Sequence, residues 1–135
     1  MTVILDIEPV EQARPRAIRY GRSIRVYDPP KVSKYKKQLS QLARLQYNAE
    51  PLDGMLAVDI KFYRRVQKSL SKIERSRRLS GEHRPTVKPD LDNYIKSTLD
   101  ALNGILWTDD ACIVDLHAHK YYSDDPHIEI TVKEL

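Results

Sequence analysis

The sequence has a single cysteine, Cys112, and no long apolar run. One cysteine cannot form a disulfide within the chain, which is typical of proteins from a reducing compartment such as the cytoplasm. No stretch approaches the roughly 18 consecutive apolar residues that a membrane-spanning helix needs, so we expect no membrane partner. The first residues include an acid at Asp6 and no basic run, unlike a secretory signal. We therefore expect a cytoplasmic protein in which Cys112 is a small buried apolar residue.

The composition is typical of a folded globular protein. The chain of 135 residues is 41% hydrophobic and 31% charged, which favours one domain spanning residues 1–135. The net charge of +4 permits nucleic acid as a partner without demonstrating one. The basic residues cluster and the acids concentrate in the second half, which indicates a cationic surface around an acidic site. The basic clusters are Arg14, Arg16, Arg19, Arg22 and Arg25; Lys31, Lys34, Lys36 and Lys37; and Lys68, Lys72, Arg75, Arg77 and Arg78.

The periodicity of apolar residues predicts the fold. Alternation predicts strands at residues 2–8, 56–63, 112–119 and 128–133. Helical spacing predicts amphipathic helices at residues 30–48 and 91–103, with Gly104 as a C-terminal cap. Because each strand has one apolar face and the helices are few, we expect an α+β fold: a mixed, mainly antiparallel sheet with helices packed on one face. The apolar helix positions are Tyr35, Leu39, Leu42 and Leu45 in the first helix and Leu91, Ile95, Leu99 and Leu102 in the second.

Two basic segments are candidate contacts for nucleic acid. Residues 17–27 predict a hairpin that turns at Gly21, Arg22 and Ser23. Residues 67–83 are basic and weakly periodic, with few local acids, and predict at most a short, poorly packed helix. For each segment a solvated surface explains the charges as well as contact with a DNA backbone does. The candidate DNA-binding residues are Arg16, Arg19, Arg22, Arg25, Arg75, Arg77, Arg78 and Lys88.

The densest group of acids lies around the start of the second helix. Pro89 and the helical pattern after it place Asp90 at the N-cap, where the backbone is not yet helical. Since residues two apart share a face in extended chain, we expect Asp90 and Asp92 to converge just ahead of the helix. Asp109 and Asp110 lie in the loop that follows the helix. We expect this loop to return towards Asp90 and Asp92.

Such a group of acids predicts a Mg²⁺ site for phosphate chemistry. Three or more carboxylates from two segments, in a basic surround, suit Mg²⁺, which prefers oxygen ligands and keeps several waters. A bound water is then a candidate nucleophile. Lys96, one turn after Asp92, is spaced to reach the phosphate or the leaving oxygen.

Ordinary structural roles explain the same residues and stay open at this point. Asp90 is a good N-cap residue, which would hydrogen-bond the first turn of the helix. Asp92 and Lys96 have the spacing of an i, i+4 ion pair. Asp109 and Asp110 fit a simple turn.

A second set of candidate metal ligands lies on the third predicted strand. Asp115, His117 and His119 alternate along the chain and therefore face the same side. We favour a hydrated strand face over a metal site here, because exposed histidines on a polar strand face need no ligand.

Residues 88–113 resemble the signature of the RusA family of Holliday-junction resolvases, which are common in prophages. The family pattern comprises a D-x-D-N motif, a lysine four residues after the second aspartate, an Asp-Ala-Leu on the same helix, and an aspartate pair after an aromatic residue. The close match covers about a fifth of the chain. The matching positions are Asp90, Asp92, Asn93, Lys96, Asp100, Ala101, Leu102, Trp107, Asp109 and Asp110.

The resemblance implies a homodimeric, Mg²⁺-dependent endonuclease, with Mn²⁺ as an alternative metal. Two active sites would make paired incisions in opposite strands of a four-way DNA junction. Carried over by position, Asp90, Asp92 and Asp110 match the metal-binding acids of the family, and Lys96 matches its catalytic lysine. We add Asp109 as a further candidate metal ligand. The basic residues 67–83 match no family position, so their DNA contacts depend on the charge pattern alone.

These observations favour a structure-selective DNA endonuclease that acts in recombination and repair. The alternative is a non-catalytic, basic nucleic-acid-binding module, in which the acids only cap a helix and pair with lysines. The two interpretations differ in whether the acids have partners within the chain.

Overall fold

The structure is a computed structural model that describes residues 1–135. It contains six strands and three helices, with a short 3₁₀ turn at Asp110–Cys112. Pro30 is the first residue of the first helix, a position where its missing N–H costs nothing. In chain order the elements are β1 (Thr2–Leu5), β2 (Arg16–Tyr20), β3 (Ser23–Tyr27), α1 (Pro30–Gln46), β4 (Leu56–Arg65), α2 (Lys72–Leu79), α3 (Leu91–Leu102), β5 (Ile113–Ser123) and β6 (His127–Glu134).

Four strands form one mixed sheet in the order β1-β6-β4-β5. The central strand β4 pairs antiparallel with β6 and parallel with β5, and β1 pairs antiparallel with β6. Strands β2 and β3 form a separate two-stranded hairpin. The predicted α+β arrangement, with a mainly antiparallel sheet, is confirmed.

One face of the sheet carries the hydrophobic core. The alternate β4 residues Leu56, Val58, Ile60 and Phe62 are buried, and they belong to the same apolar cluster as residues of α1 and α3. The intervening β4 residues face the other side of the sheet. That side is polar and aromatic: the Tyr63 ring stacks on Tyr121 at 5.2 Å and on His127 at 4.2 Å between ring centroids. Both long helices therefore cover one face, as predicted.

The predicted apolar faces of α1 and α3 are partly wrong. Leu45 is 83% exposed, whereas Ala43 is buried. In α3 the predicted Leu102 is fully buried, but the rest of the buried side is formed by Tyr94, Ser97 and Thr98, and the other predicted residues, Leu91, Ile95 and Leu99, are half-buried at its margins. The pattern missed this side because two of its residues are polar. Both are satisfied: the Ser97 hydroxyl donates to the Val10 carbonyl at 2.6 Å, and the Thr98 and Tyr35 hydroxyls lie 2.8 Å apart.

The segment before β5 also differs from the prediction. Cys112 lies in the 3₁₀ turn rather than in the strand, and it is half-buried, with its Sγ 3.4 Å from the Thr108 hydroxyl. The predicted apolar residues Val114, at a register shift where β5 starts to pair with β4, and Leu116 are 56% and 40% exposed instead of buried. None of the three helices is both long enough and apolar enough to cross a membrane.

Candidate active site

Asp90 and Asp92 lie at the start of α3, where the sequence predicts them. Asp90 is the N-cap residue, with the extended backbone angles φ −69° and ψ 146°. Its side chain makes no capping hydrogen bond to the helix. Asp92 is in the first turn, and its Oδ1 accepts only from the N–H of its neighbour Asn93, at 3.0 Å. Both carboxylates are exposed, in a helix end that favours negative charge.

The ordinary explanations for these acids do not hold in the structure. Asp90 occupies the capping position without capping, and no ion pair joins Asp92 to Lys96. Lys96 is exposed and lies near Asp28. Its positive charge weakly stabilises the Asp28 carboxylate and so helps to lower the pKa of Asp28. Two exposed carboxylates that form no ion pair are a donor set that Mg²⁺ accepts, because Mg²⁺ keeps several waters and needs only one or two protein carboxylates.

Two basic side chains hold the backbone that leads into Asp90. Lys120 Nζ donates to the carbonyls of Val87 at 2.9 Å and Pro89 at 2.8 Å. Arg64 Nη1 donates to the Lys88 carbonyl at 3.0 Å. Together they clamp three successive carbonyls, which fixes where Asp90 emerges from the loop.

The Lys120 ammonium lies in a partly dehydrated, cationic position. Burial lowers its pKa below the usual range of a lysine, and the neighbouring Arg64 guanidinium lowers it further. The Asp90 carboxylate acts in the opposite direction and stabilises the charged form. Lys120 is therefore close enough to Asp90 for their charges to interact, although its hydrogen bonds go to the backbone.

Arg64 and Lys120 were not among the sequence-derived candidates, although the sequence contains a signal for them. Each lies on the apolar, core-facing side of its strand, because it follows an apolar residue at a spacing of two. Arg64 follows Ile60 and Phe62 in β4, and Lys120 follows Ala118 in β5. A cation on the core-facing phase needs polar partners on the helix side of the sheet. Here the partners are the carbonyls before α3.

Asp109 and Asp110 lie at the other end of α3. Burial raises the pKa of Asp110 above its usual range, and the adjacent carboxylates of Asp109 and Asp100 raise it further. The Asn103 amide lies beside Asp110 and partly offsets these effects. Crowded acids that favour protonation here would gain from an added cation.

The structure does not bring the two groups of acids together within one chain. Asn103, next to Asp110, follows Asp92 by eleven residues, which is about 16 Å along a helix axis. The loop after α3 turns back at once, because the Gly104 N–H donates to the Trp107 carbonyl at 2.7 Å. Accordingly, no group of three or more His, Cys, Asp or Glu side chains is placed to hold a metal. The expected return of Asp109 and Asp110 to the helix start is not observed.

Asp100, on the same exposed face of α3 as Asp92 and Lys96, has a partner. Lys36 Nζ of α1 lies 2.7 Å from Asp100 and 2.7 Å from Asp28, which follows β3 directly. Burial alone would lower the pKa of Lys36, but its hydrogen bonds to Asp100 and Asp28 raise it above the usual range. Asp100 is thus a structural link between α3, α1 and the end of the hairpin.

The candidate DNA-binding residues fall into two groups. The four arginines of the hairpin are exposed and form no ion pair, and Arg77 and Lys88 are likewise exposed. The sequence predicts few local acids for the arginines of α2, but two of them, Arg75 and Arg78, do have acidic partners. Arg75 pairs with Asp124, and Arg78 Nε lies 2.9 Å from Glu74, one helical turn earlier. Arg78 also stacks on the Tyr122 ring, 4.8 Å from its centroid.

The histidine row on β5 is on the open face of the sheet. His119 Nε2 lies 3.2 Å from an Asp59 carboxylate oxygen on the neighbouring strand, and its ring is 6.0 Å from that of Tyr121. His117 and Asp115 are exposed. These contacts form a polar, aromatic surface on the side of the sheet away from α3.

Comparison with known proteins identifies relatives over nearly the whole chain. The family model described as endodeoxyribonuclease RusA matches residues 6–133. A protein of Bacillus subtilis (strain 168), named Uncharacterized protein YqaN, is 42% identical over 132 residues. That alignment covers 95% of this chain and 92% of the Bacillus protein. The family match therefore includes the hairpin, both long helices and every candidate acid.

Proposed function

The chain belongs to the RusA family of endodeoxyribonucleases, and on this premise we propose that it is a homodimeric, Mg²⁺-dependent Holliday-junction resolvase. One observation carries the proposal: Asp90 and Asp92 are exposed at the start of α3 and neither forms an ion pair, in a chain of net charge +4. Resolution of four-way junctions in recombination and repair by paired symmetric incisions is the activity that the family suggests. The fold would act as a single RusA-like domain.

Asp90 and Asp92 would hold Mg²⁺, or Mn²⁺ in its place. The bound metal supplies positive charge that offsets the charge building up on the scissile phosphate. Lys120 and Arg64 keep Asp90 in position through the carbonyls before it. Lys96, exposed one turn beyond Asp92, is free to contact the phosphate or the leaving oxygen.

A homodimer would complete the site that one chain leaves open. The acids lie at the two ends of one helix, with Lys96 between them. A two-fold axis through the middle of that face would set the start of α3 in one subunit beside the end of α3 in its partner. We infer that Asp110 of the partner subunit, assisted by its neighbouring acid, joins Asp90 and Asp92. The exposed apolar side chains of Val114 and Leu116 on edge strand β5, which contacts α3, would be covered by such an interface.

The alternative, a non-catalytic nucleic-acid-binding module, requires Asp90 to cap α3 and Asp92 to pair with Lys96. Neither contact is present. The endonuclease is therefore the function that we propose.

Cleavage of a four-way junction, compared with a linear duplex of the same sequence, tests this function. We expect cutting of the junction with Mg²⁺ and none without it. Asp92→Asn should keep junction binding and lose more than about a hundredfold in cleavage rate, because metal charge stabilisation is worth several kcal/mol. Asp6→Asn is the matched control. It changes an exposed, unpaired acid near the N-terminus, far in sequence from Asp90 and Asp92, and the variant should cut normally.

Two outcomes would contradict parts of this proposal. A wild-type protein that leaves junctions intact with both Mg²⁺ and Mn²⁺ is not a resolvase. Full cleavage by Lys96→Ala would remove Lys96 from the mechanism and leave the metal site untouched.

A further inference from the structure

The hairpin of β2 and β3 projects from the protein as an arm. We define the arm as residues 14–27. Every residue from Arg14 to Val26 is exposed, including the large side chains of Ile18 and Tyr20, which are 38% and 59% exposed. An isolated two-stranded hairpin is at best marginally stable in water, and exposed apolar patches usually mark binding surfaces. The exposed surface of the arm is therefore a candidate binding surface for a partner molecule.

The two faces of the arm differ in chemistry. Cross-strand register places Ile18 opposite Arg25 and Tyr20 opposite Ser23. Residues directly opposite each other share a face. One face, the tyrosine face, thus forms a shallow depression lined by Ile18, Tyr20, Arg25 and Tyr27. The opposite face carries Ala17, Arg19, Ile24 and Val26.

Both ends of the arm are fixed beside the exposed face of α3. At the entry, the Gln12 N–H donates to the Asn93 carbonyl at 2.9 Å, one residue after Asp92. At the exit, Asp28 is joined through Lys36 to Asp100. Gln12 Nε2 also donates to Asp28 at 2.9 Å, which ties the two ends together. Whatever lies against the acids of α3 therefore lies at the base of the arm.

The charge of the arm selects nucleic acid as its occupant. Residues 12–27 contain five arginines and no acid. Packing the arm of one copy on that of another would bring like charges together in an apolar contact, which is costly. A phosphate backbone would neutralise the same arginines and release bound counterions. Tyrosines interleaved with arginine are also the side chains on which unstacked bases rest.

We propose that the tyrosine face stacks on bases exposed at the branch point of a four-way junction and so gives the protein its preference for branched DNA. This inference depends on the proposed function for its substrate. In linear duplex the bases are stacked on one another, so only the arginines of the arm gain contacts. At a branch point, pairs beside the crossover open at lower cost, and their bases become available to Tyr20.

The test measures dissociation constants for a four-way junction and a linear duplex of the same sequence, without divalent metal so that neither is cut. Tyr20→Ala should weaken junction binding about fivefold or more, the loss expected for one base–aromatic stack, and leave duplex binding unchanged. Tyr20→Phe keeps an aromatic ring and should retain the preference.

Two matched variants separate base stacking from the other properties of the arm. Ile24→Ala removes an apolar side chain that is more exposed than Tyr20 but on the opposite face, and should leave both constants unchanged. Arg19→Ala should weaken junction and duplex binding equally and reduce the salt slope by about one for each arm bound.

The outcomes distinguish this inference from the proposed function. An unchanged ratio of junction to duplex binding in Tyr20→Ala, with wild-type protein that cuts junctions, overturns the stacking contact alone. Dissociation of the homodimer by Tyr20→Ala in sedimentation velocity overturns it as well, because the arm would then contact a second copy. Wild-type protein that neither prefers nor cuts junctions overturns both.

Discussion

Lys120 is the residue whose role is best defined by its contacts. Its three possible donors serve two carbonyls on either side of Lys88, and Arg64 serves the carbonyl between them. In the proposed site, a side chain that orders the backbone before Asp90 would act on metal affinity rather than on the chemical step itself. Partners of this kind typically change metal affinity or activity by about 10–100-fold when they are removed.

We predict that Lys120→Met raises the Mg²⁺ concentration needed for half-maximal cleavage by about tenfold. The reason is that Asp90 loses the fixed backbone from which it projects. Lys120→Arg keeps a cationic donor and should recover most of the affinity. A titration of junction cleavage against Mg²⁺ concentration measures the effect.

Lys61→Met is the control for this prediction. Lys61 lies on the neighbouring strand β4, between the buried Ile60 and Phe62, and so faces the opposite side of the sheet. Its removal should leave the Mg²⁺ dependence unchanged. Equal Mg²⁺ dependence in Lys61→Met and Lys120→Met would show that Lys120 does not position the site.

The sequence predicts the two acids Asp90 and Asp92, but it does not predict the side chains that hold the backbone before them. Asp90 and Asp92 stand out because a proline, an N-cap position and a helical pattern are contiguous in the chain. The clamp joins residues separated by 24 to 33 positions. No local pattern specifies such a contact, and only the misplaced polarity of Arg64 and Lys120 on an apolar strand phase pointed to it.

The position of the arm depends on a few contacts at its base, because no side chain of its two strands is buried. Asp28 is the main one: it accepts hydrogen bonds from Lys36 at 2.7 Å and from Gln12 at 2.9 Å. The hydrogen bond from Lys36 is the largest cause that holds the pKa of Asp28 below its usual range. Deprotonated Asp28 therefore stabilises the folded state.

We predict that Asp28→Asn lowers the free energy of unfolding by about 1 kcal/mol at pH 7, the value expected for a partly exposed ion pair. Because the pKa of Asp28 is lower in the folded than in the unfolded state, its contribution is complete above about pH 4 and is lost as the pH falls through the folded-state pKa. The difference between wild type and variant should therefore shrink in acid. Denaturant unfolding at pH 7 and at about pH 3 measures it.

Asp124→Asn provides the comparison. Asp124 pairs with Arg75 on the surface, where both side chains are more exposed than Asp28 and Lys36. This variant should change stability little at either pH. A difference between Asp28→Asn and wild type that grows in acid would contradict the assigned direction of the pKa.

The elements themselves were largely predictable, because strands and helices follow local periodicity. Strand β4 and strand β6 have the alternation that the sequence predicts, with Ile128, Ile130 and Val132 buried. The orientation of α3 could not be predicted in the same way, because its buried side includes the polar residues Ser97 and Thr98. Buried polar side chains generally have a hydrogen-bond partner. Here the partners are the Val10 carbonyl and the Tyr35 hydroxyl, which are remote from α3 in sequence.

In the proposed enzyme, the separation of the acids along α3 would make the oligomeric state part of the chemistry. Asp92 and Asn103, which lies beside Asp110, are about 16 Å apart along the helix, which is too far for one metal coordination shell. A site shared across a two-fold axis would therefore couple metal binding to assembly. The sequence alone could not reveal this, because a loop that returned to the start of α3 would complete the site within one chain.

We predict that Asp92→Asn and Asp110→Asn, each inactive as a homodimer, regain activity when they are mixed and allowed to exchange subunits. In a shared site, one of the two sites in the mixed dimer then has both substitutions and the other has neither. The intact site should nick one strand of the junction. Gel analysis of junctions labelled on single strands separates nicking from paired cleavage.

Sites formed within single chains would give the opposite result. Each site of the mixed dimer would then carry one substitution, and the mixture would stay inactive. Mixing Asp92→Asn with Asp90→Asn is the internal control. Those two residues act from the same chain in either arrangement, so that mixture should stay inactive.

The buried indole of Trp107 has a practical consequence for studying the acids at the end of α3. Trp107 is the only tryptophan in the chain and is fully buried. Its Nε1 donates to Asn103 Oδ1 at 2.9 Å, and the Asn103 amide lies beside Asp110. A change of charge at Asp110 thus reaches the indole through a single side chain. The intrinsic fluorescence of the unlabelled protein should therefore report when a cation arrives at this end of the helix, with or without DNA.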